Sequence, residues 1–422
     1  MRVAFVTQWF PPEPAHTPLA YALALEARGY DVDVLTGFPN YPSGQVVPPY
    51  RIQPCLREQL SPGITVYRAA LYPNHSTSVV GRMVNYASFA AGSLAVAMTA
   101  LPRPDVWLVY SSPATASVPA LLSSARHRAP VATVVQDLWP DSVLDSGMLP
   151  NGTRRLTDLV LGRYSAWSYR RSTAIGIISP GMREVLTSRG IPPDRIHDTP
   201  NWTSGDHLRP GLPTADARAA LNLPSGYLVV YAGNHGPLQH LAPVIDAVRR
   251  VDGVQLVLIG SGVSKAALQQ QADTSGARNV HFLDAMPPER LGRVIQAADA
   301  QLVSLRDTPL LRATMPSKVQ TSLAAARPVV AHASGDAADV ITRCGAGVSV
   351  SPGDVDGLVR ALRGLAAQSS TAAAEMGLRG RRYYDQHYSP AVGGERVGAL
   401  VEAAYHAGVR RAAAQVPVGD GG

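Results

Sequence analysis

Short apolar runs alternate along the chain with helix-length stretches and turn-rich loops, and that alternation predicts an α/β protein built on parallel strands. A first strand is expected at residues 3–7, then a Pro-rich loop at 9–18, a helix at 19–28 that Gly29 stops, and a second strand at 31–36. Further strands are expected at 106–110, 131–136 and 174–178. From 203 to 225 the regular apolar spacing lapses and Gly and Pro accumulate, as in a linker. The pattern then restarts with a strand at 227–232, the turn Gly233-Asn234-His235-Gly236, a helix near 241–250, a strand at 254–259 and the turn Gly260-Ser261-Gly262. A helix entered from Pro316-Ser317-Lys318 leads into a strand at 329–331. At the end a helix at 391–414 precedes a tail, 415–422, expected to be disordered. Two doubly wound halves follow from this, since 422 residues exceed one ordinary core.

Composition narrows the partners. The 46% hydrophobic fraction suits two buried interiors. A net charge of +7 and a pI of about 9.5 favour anionic partners: nucleotides, phospholipid headgroups or nucleic acid. The arginines are scattered and form no basic tail or binding motif, so nucleic acid is not expected. Cys55 and Cys344 lie far apart in sequence, giving neither a disulfide framework nor zinc spacing, which fits a reducing cytosol. The apolar core of the first twelve residues is too short for a signal peptide. Residues 83–101 are uncharged and nearly long enough to span a bilayer, yet rich in Ala, Gly, Ser, Thr and Asn. A buried or membrane-touching helix is expected there, and peripheral membrane contact stays open.

The candidate chemistry begins with lysine, which occurs only at Lys265 and Lys318 among 38 Lys plus Arg. Lys318 stands where a Pro-containing loop enters a helix, a place whose free N–H groups and dipole already favour an anion. Alone it reads as a solvated surface lysine as readily as a diphosphate clamp. The turn at 233–236 follows a strand and precedes a helix, the setting in which backbone N–H groups reach phosphate oxygens. It lacks the full dinucleotide fingerprint, so a ligand-free tight turn also stays open. Asp137, at the carboxyl end of a strand, offers a general base or an acceptor for a sugar hydroxyl, with Gln136 as a neutral hydrogen-bonding partner. Its alternative is a helix N-cap. His16 in the first loop is a candidate substrate contact, and His235 gains a donor role if its turn holds phosphate. Asp31-Val32-Asp33 has the form of a DxD metal motif but fits the exposed edge of an alternating strand. Asp354-Val355-Asp356 fits the start of a helix running to Leu365, and no metal site is expected.

Seven motifs in order carry a family resemblance: QWFPPEP near the start, TGFPNYPSG at 36–44, VQDLWPDS at 135–142, PNW at 200–202, YAGNHG at 231–236, RDTPLLRATMPSK at 306–318 and RPVVA at 327–331. Together they resemble glycosyltransferase family 4, and within it the colanic-acid and O-antigen branch that includes N-acetylfucosamine transferase-like enzymes. Each motif is loose alone; the ordered set spans nearly the whole chain and is specific.

The resemblance implies a GT-B fold, two Rossmann-like doubly wound domains facing across a cleft. Residues 1–203 would take the acceptor, with the helix at 391–414 crossing back onto them, and 204–390 would take the nucleotide sugar. By the same resemblance Gly233, Asn234, His235, Gly236 and Gly260 approach the donor diphosphate, Arg312 and Lys318 neutralise it, Thr321 meets the ribose and the loop around Met286 meets the base. Glu13, His16, Asn40 and Tyr41 would border the acceptor, and Asp137 with Gln136 would sit near the reacting carbon. Implied too are a UDP-sugar donor, a glycan, lipid-linked or small-molecule acceptor, retention of configuration, no metal, no cofactor and a cytoplasmic setting. The family's paired glutamates are replaced by Ala313 and Thr321, a common phosphate-binding Arg by Asn234, and a common His by Gln136. Those departures keep a catalytically silent GT-B subunit open, and the Arg- and Ala-rich composition keeps open the tailoring of a secondary metabolite.

Overall fold

Eight strands build the first sheet: β1 Arg2–Val6, β2 Asp31–Gly37, β3 Cys55–Ser61, β4 Ile64–Ala69, β5 Val106–Ser111, β6 Val131–Val135, β7 Ala174–Ile177 and β8 Ile196–Asp198. Their order is β3-β4-β2-β1-β5-β6-β7-β8, and every neighbouring pair is parallel except the β3–β4 hairpin. Parallel strands are covered on both faces, which is why β1, β5 and β6 read as near-continuous apolar runs. Val3 lies beside Val32 on one side and Val106 on the other. The computed structural model describes residues 1–75, 78–144, 154–203, 208 and 215–414. They divide into two units, Met1–Asn201 with Gly393–Gly422, and Trp202–Val392. The tail expected to be disordered, 415–422, lies outside the described residues, as do 204–207 and 209–214 of the expected linker. The remainder of that stretch is not structureless, since Ala215–Ala220 is helical.

The second sheet holds β9 Tyr227–Ala232, β10 Val254–Ile259, β11 Val280–Leu283, β12 Ala300–Ser304, β13 Val329–His332 and β14 Gly347–Val350, in the order β11-β10-β9-β12-β13-β14, all parallel. Counted by appearance this is the doubly wound 3-2-1-4-5-6 arrangement. One strand feeds two cores. Val229 and Tyr231 of β9 pack with Val244, Ile245, Leu358 and Leu362, while Leu228 and Val230 pack on the other face with Val294 and Ala298. Each fully buried aliphatic side chain among them contributes ~1.5–3 kcal/mol.

The last helix, Pro390–Ala414, packs mostly on the first unit. Val397, Leu400, Val401 and Ala404 are buried, and Glu402 accepts hydrogen bonds from Arg28 and Tyr30.

Three local readings change. The first helix spans His16–Ala27 and takes in the end of the expected loop, because Pro18 falls in its first turn, where a missing N–H costs nothing. Asp33 is buried, not on an exposed edge, because β2 is an interior strand between β1 and β4. It faces Arg2 at 3.6 Å, toward the amino end of the strands. The segment expected at 83–101 is the helix Val79–Thr99, started by Ser78, whose hydroxyl accepts the Gly81 N–H at 3.3 Å. It presses Phe89, Ser93, Val96 and Ala97 into the core. No helix among the described residues is long and apolar enough to cross a membrane.

Candidate active site

In the second unit the strand order reverses between β9 and β12, and open α/β sheets gather ligand-binding loops at such a point. Two glycine turns leave β9 and β10 there. They are laced by backbone bonds: Gly233 N–H donates to the Ile259 carbonyl at 2.9 Å, His235 N–H to that of Ser261 at 2.8 Å, and Ser264 N–H to that of His235 at 2.9 Å. Gly233, Gly260 and Gly262 have φ of +142°, +135° and +153°, which β-carbons resist. Asn234 folds its amide over its own turn: a β-carbon on Gly236 would lie 2.7 Å from Asn234 Nδ2. The turn passes into a short 3₁₀ segment, Pro237–Gln239, before the Ala242–Val248 helix, so its N–H groups belong to a loop and not to a helix terminus.

Lys318 reaches this turn from the helix Ser317–Ala324, whose preceding residue, Pro316, is extended and gives no side-chain cap. Its Nζ donates to Gln239 Oε1 at 3.1 Å and lies 5.1 Å from the Tyr231 ring centroid. A β-carbon on Gly233 would come within 2.9 Å of that nitrogen. Among the described residues no carboxylate pairs with Lys318, and burial pushes its ammonium down to about 8. A partly desolvated cation with no carboxylate beside it, on a glycine turn, has the chemistry to receive an anion. Beside it lies a cavity of about 200 Å³ lined by Gly233, Leu291, Ile295, Ser317, Lys318 and Thr321 among others. The Thr321 hydroxyl donates to the Ser317 carbonyl at 3.0 Å.

The other donor-side candidates are placed differently. Arg312 forms a two-pronged pair with Asp307, at 2.6 and 2.7 Å, and is exposed. The His235 ring is fully buried between Tyr231 and Phe282, and burial, then Lys265, pushes its pKa down. Met286 is half-buried in the loop after β11, against the Leu228–Val230 core cluster. The other lysine, Lys265, is consumed structurally, bonding Asp284 at 2.7 Å and the Gly260 carbonyl at 2.9 Å.

In the first unit the order reverses at β1 and β5. Glu13, from the loop after β1, is buried and accepts the N–H groups of Asn40 and Tyr41 at 2.8 Å and of Phe10 at 3.1 Å. Burial pushes its carboxyl up against the opposing pull of those N–H groups and Arg68. Its oxygens thus knit the first two loops together. Asn40 is buried and returns its amide to the Phe38 carbonyl at 2.9 Å, whereas Tyr41 is half-buried between Trp9 and His75. His16, first residue of its helix, is exposed.

Asp137 follows β6 and presents an exposed carboxylate, held by the Ser112 hydroxyl at 3.3 Å. Surrounding protein removes part of its hydration and pushes the carboxyl up, while Ser112 opposes the shift. Gln136 is turned away from it: its Oε1 accepts from Asn201 Nδ2 at 2.7 Å, and Tyr21 donates to Asn201 Oδ1 at 3.0 Å. The residues that sequence reading did not single out are therefore Gln239, Tyr231, Ser112, Tyr21 and Trp9. Of these Trp9 and Tyr231 lie within quoted motifs; Asn201, which engages Gln136, lies in PNW.

Two doubly wound units of largely parallel strands are the architecture of GT-B glycosyltransferases. Residues 14–202 match the glycosyl transferase 4-like domain, and residues 226–368 match the glycosyl transferases group 1. The two matches together span most of the chain, which is a glycosyltransferase. It is 28% identical over 354 residues, 80% of this chain and 85% of the relative, to WcaI of Escherichia coli strain K12, a glycosyl transferase assigned by name to colanic acid biosynthesis. Among solved structures it is similar to sucrose-phosphate synthase from Thermosynechococcus elongatus, with a TM-score of 0.72, 17% identity and coverage of 98% and 99% of the two chains. Anabaena HepE in complex with UDP and glucose gives 0.68 and 15%, covering 95% and 99%. WaaG, a glycosyltransferase involved in lipopolysaccharide biosynthesis, gives 0.64 and 14%, covering 95% and 99%. At these identities the structural likeness is one of fold.

Proposed function

We propose that the protein transfers a sugar from UDP to a hydroxyl of a glycan or lipid-linked acceptor, with retention of configuration and without a metal requirement. The observation that carries this reading is Lys318, a desolvated ammonium against the 233–236 turn with no counter-charge among the described residues. In this reading the turn's N–H groups and Lys318 hold the diphosphate and stabilise the charge that grows on it as the sugar departs. Thr321 meets the ribose, the loop around Met286 meets the base, and Arg312 joins the phosphates by exchanging Asp307 for them. The acceptor oxygen attacks the anomeric carbon as the bond to the β-phosphate breaks, and its proton passes to the leaving phosphate oxygen on the same face. Asp137 lies near the reacting carbon, while Glu13 shapes the acceptor loops that carry Asn40 and Tyr41, with His16 at their border. The choice of UDP is supported by HepE, solved with UDP and glucose, and the choice of a polysaccharide acceptor by the name of the E. coli relative.

Calorimetry with UDP, GDP and ADP tests the donor assignment, with UDP expected to bind best. UDP release with a panel of donors and acceptors tests turnover, a chelator tests metal independence, and the anomeric signal of the product tests retention. Tight UDP binding with no release across a broad panel would instead support the silent-subunit reading, for which Thr321 at a glutamate position and the engagement of Gln136 by Asn201 are the motivating observations.

A further inference from the structure

The carboxyl ends of β12 and β13 are closed by two fully buried polar side chains, Ser304 and His332, although both strands are otherwise chiefly apolar. Gly353, in the loop after β14, donates its N–H to His332 Nε2 at 2.7 Å. That nitrogen therefore carries the lone pair, and the proton of the neutral ring stands on Nδ1. Burial, then the neighbouring His240, push the ring down to about 4, so it is neutral across the physiological range. Nδ1–H faces Ser304 Oγ at 2.9 Å, and the Ser304 hydroxyl donates to the His240 carbonyl at 3.2 Å. The three bonds thus run in one sense, from Gly353 to His240.

The relay grips a residue in an uncommon backbone conformation. His240 has a left-handed φ of +48°, which a β-carbon disfavours, and its ring stacks on His332 with centroids 5.4 Å apart and planes 11° from parallel. The residue before it, Gln239, accepts from both Lys318 Nζ and the Tyr231 hydroxyl at 3.1 Å. Holding His240 in this conformation ends the 237–239 segment at a set angle, and so sets where the Gln239 amide meets Lys318. We propose that His332 is a positioning residue for the diphosphate-binding ammonium: through Ser304 and His240 it holds the Gln239 amide that aims Lys318 at the 233–236 turn. The proposal deepens the donor-site reading above and rests on it. Volume alone would be filled as well by apolar side chains, with no buried polar group left to satisfy, so the relay is explained by what it holds.

Calorimetry of the full chain with UDP tests the relay bond by bond. An Asn amide reaches the Nδ1 position and a Gln amide the Nε2 position, so His332→Asn keeps the bond to Ser304 while His332→Gln keeps only that to Gly353. His332→Gln and Ser304→Ala are each expected to weaken UDP binding about five- to tenfold, and His332→Asn to stay within about twofold of wild type. In a Lys318→Ala background Ser304→Ala should cost nothing further, because both act on one path. Wild-type binding by His332→Gln, equal losses in the Asn and Gln variants, or an undiminished loss from Ser304→Ala without Lys318 would overturn the proposal. A second measurement does not depend on UDP. Lysine occurs only at Lys265 and Lys318, so labelling lysine Cε with carbon-13 gives one NMR signal for each, assigned with Lys318→Ala. Ser304→Ala should move the Lys318 signal and leave that of Lys265 in place. If Lys318→Ala binds UDP as well as wild type, the donor-site reading fails, and the lysine signals still judge the relay: an unmoved Lys318 signal sinks it. Should either His332 variant fail to fold, Ser304→Ala and these signals decide alone.

Discussion

Gly260 stands against the carbonyl of Gly233: a β-carbon built on it would lie 2.1 Å from that oxygen. The obstructing atom is backbone, so Gly260→Ala must displace the whole 233–236 turn as well as strain a φ of +135°. A loss of ~2–4 kcal/mol in stability is expected, measured by thermal or urea unfolding. Gly233→Ala meets instead the mobile end of Lys318, at 2.6 Å from Cε. It should cost less stability and more UDP affinity than its neighbour, and the reverse order would refute the face-to-face packing of the two turns.

Lys318→Ala is expected to weaken UDP binding by about 2–3 kcal/mol at neutral pH, as calorimetry would show. With the ammonium held near 8 in the free protein, affinity should be level below about pH 7 and fall by up to about tenfold per unit above 8, because binding must then take up a proton. The slope should vanish in the alanine variant. Stability of the unliganded protein runs the other way. Between about 8 and the ordinary 10.5 the unfolded chain binds more protons at this group, so its contribution to stability rises with pH across that window.

Asp137→Asn should lower kcat by about 100-fold or more while leaving UDP affinity within about twofold, since the carboxylate lies in the unit that does not carry the glycine turns. Ser112→Ala removes the hydroxyl that holds this carboxyl down. The acidic limb of the pH–rate profile should therefore move to higher pH. An unmoved limb would exclude Asp137 as its source.

Glu13→Gln replaces an all-acceptor group with an amide, so at least one of the Phe10, Asn40 and Tyr41 N–H groups comes to face a donor. A loss of ~1–3 kcal/mol is expected, together with a raised KM for acceptor and unchanged UDP affinity. Because the folded-state carboxyl is pushed above its ordinary 4.5, the wild-type margin over this variant should narrow as pH rises from about 4.5 through the raised value. Urea unfolding across that range would measure it.

The central strands were legible because parallel strands buried on both faces leave unbroken apolar runs, as in β1, β9 and β10. Strand β12 was not, although it too lies inside its sheet. Its sequence AQLVS carries Gln301, which is tolerated in the core only because its amide donates to the Ile295 carbonyl at 3.1 Å. The β3–β4 hairpin escaped for another reason: β3 is an exposed edge strand of mixed polarity. In the candidate site, the rarity of lysine marked Lys318. Tyr231 stands in the quoted YAGNHG motif, but its pairing and that of Gln239 with Lys318 are made only by the sheet, and no local spacing announces them. The Arg312–Asp307 pair could have been read, since both residues sit five apart in one quoted motif. The Gln136–Asn201 pair, 65 residues apart, could not.

The Pro390–Ala414 helix has a consequence for how the protein is made. Leu400, Val401 and Glu402 complete the unit that begins at Met1, yet the whole of Trp202–Val392 is synthesised before them. The half that leaves the ribosome first is thus the last to be finished. A fragment cut after Asn201 would expose the apolar seat of that helix and leave Arg28 and Tyr30 without Glu402.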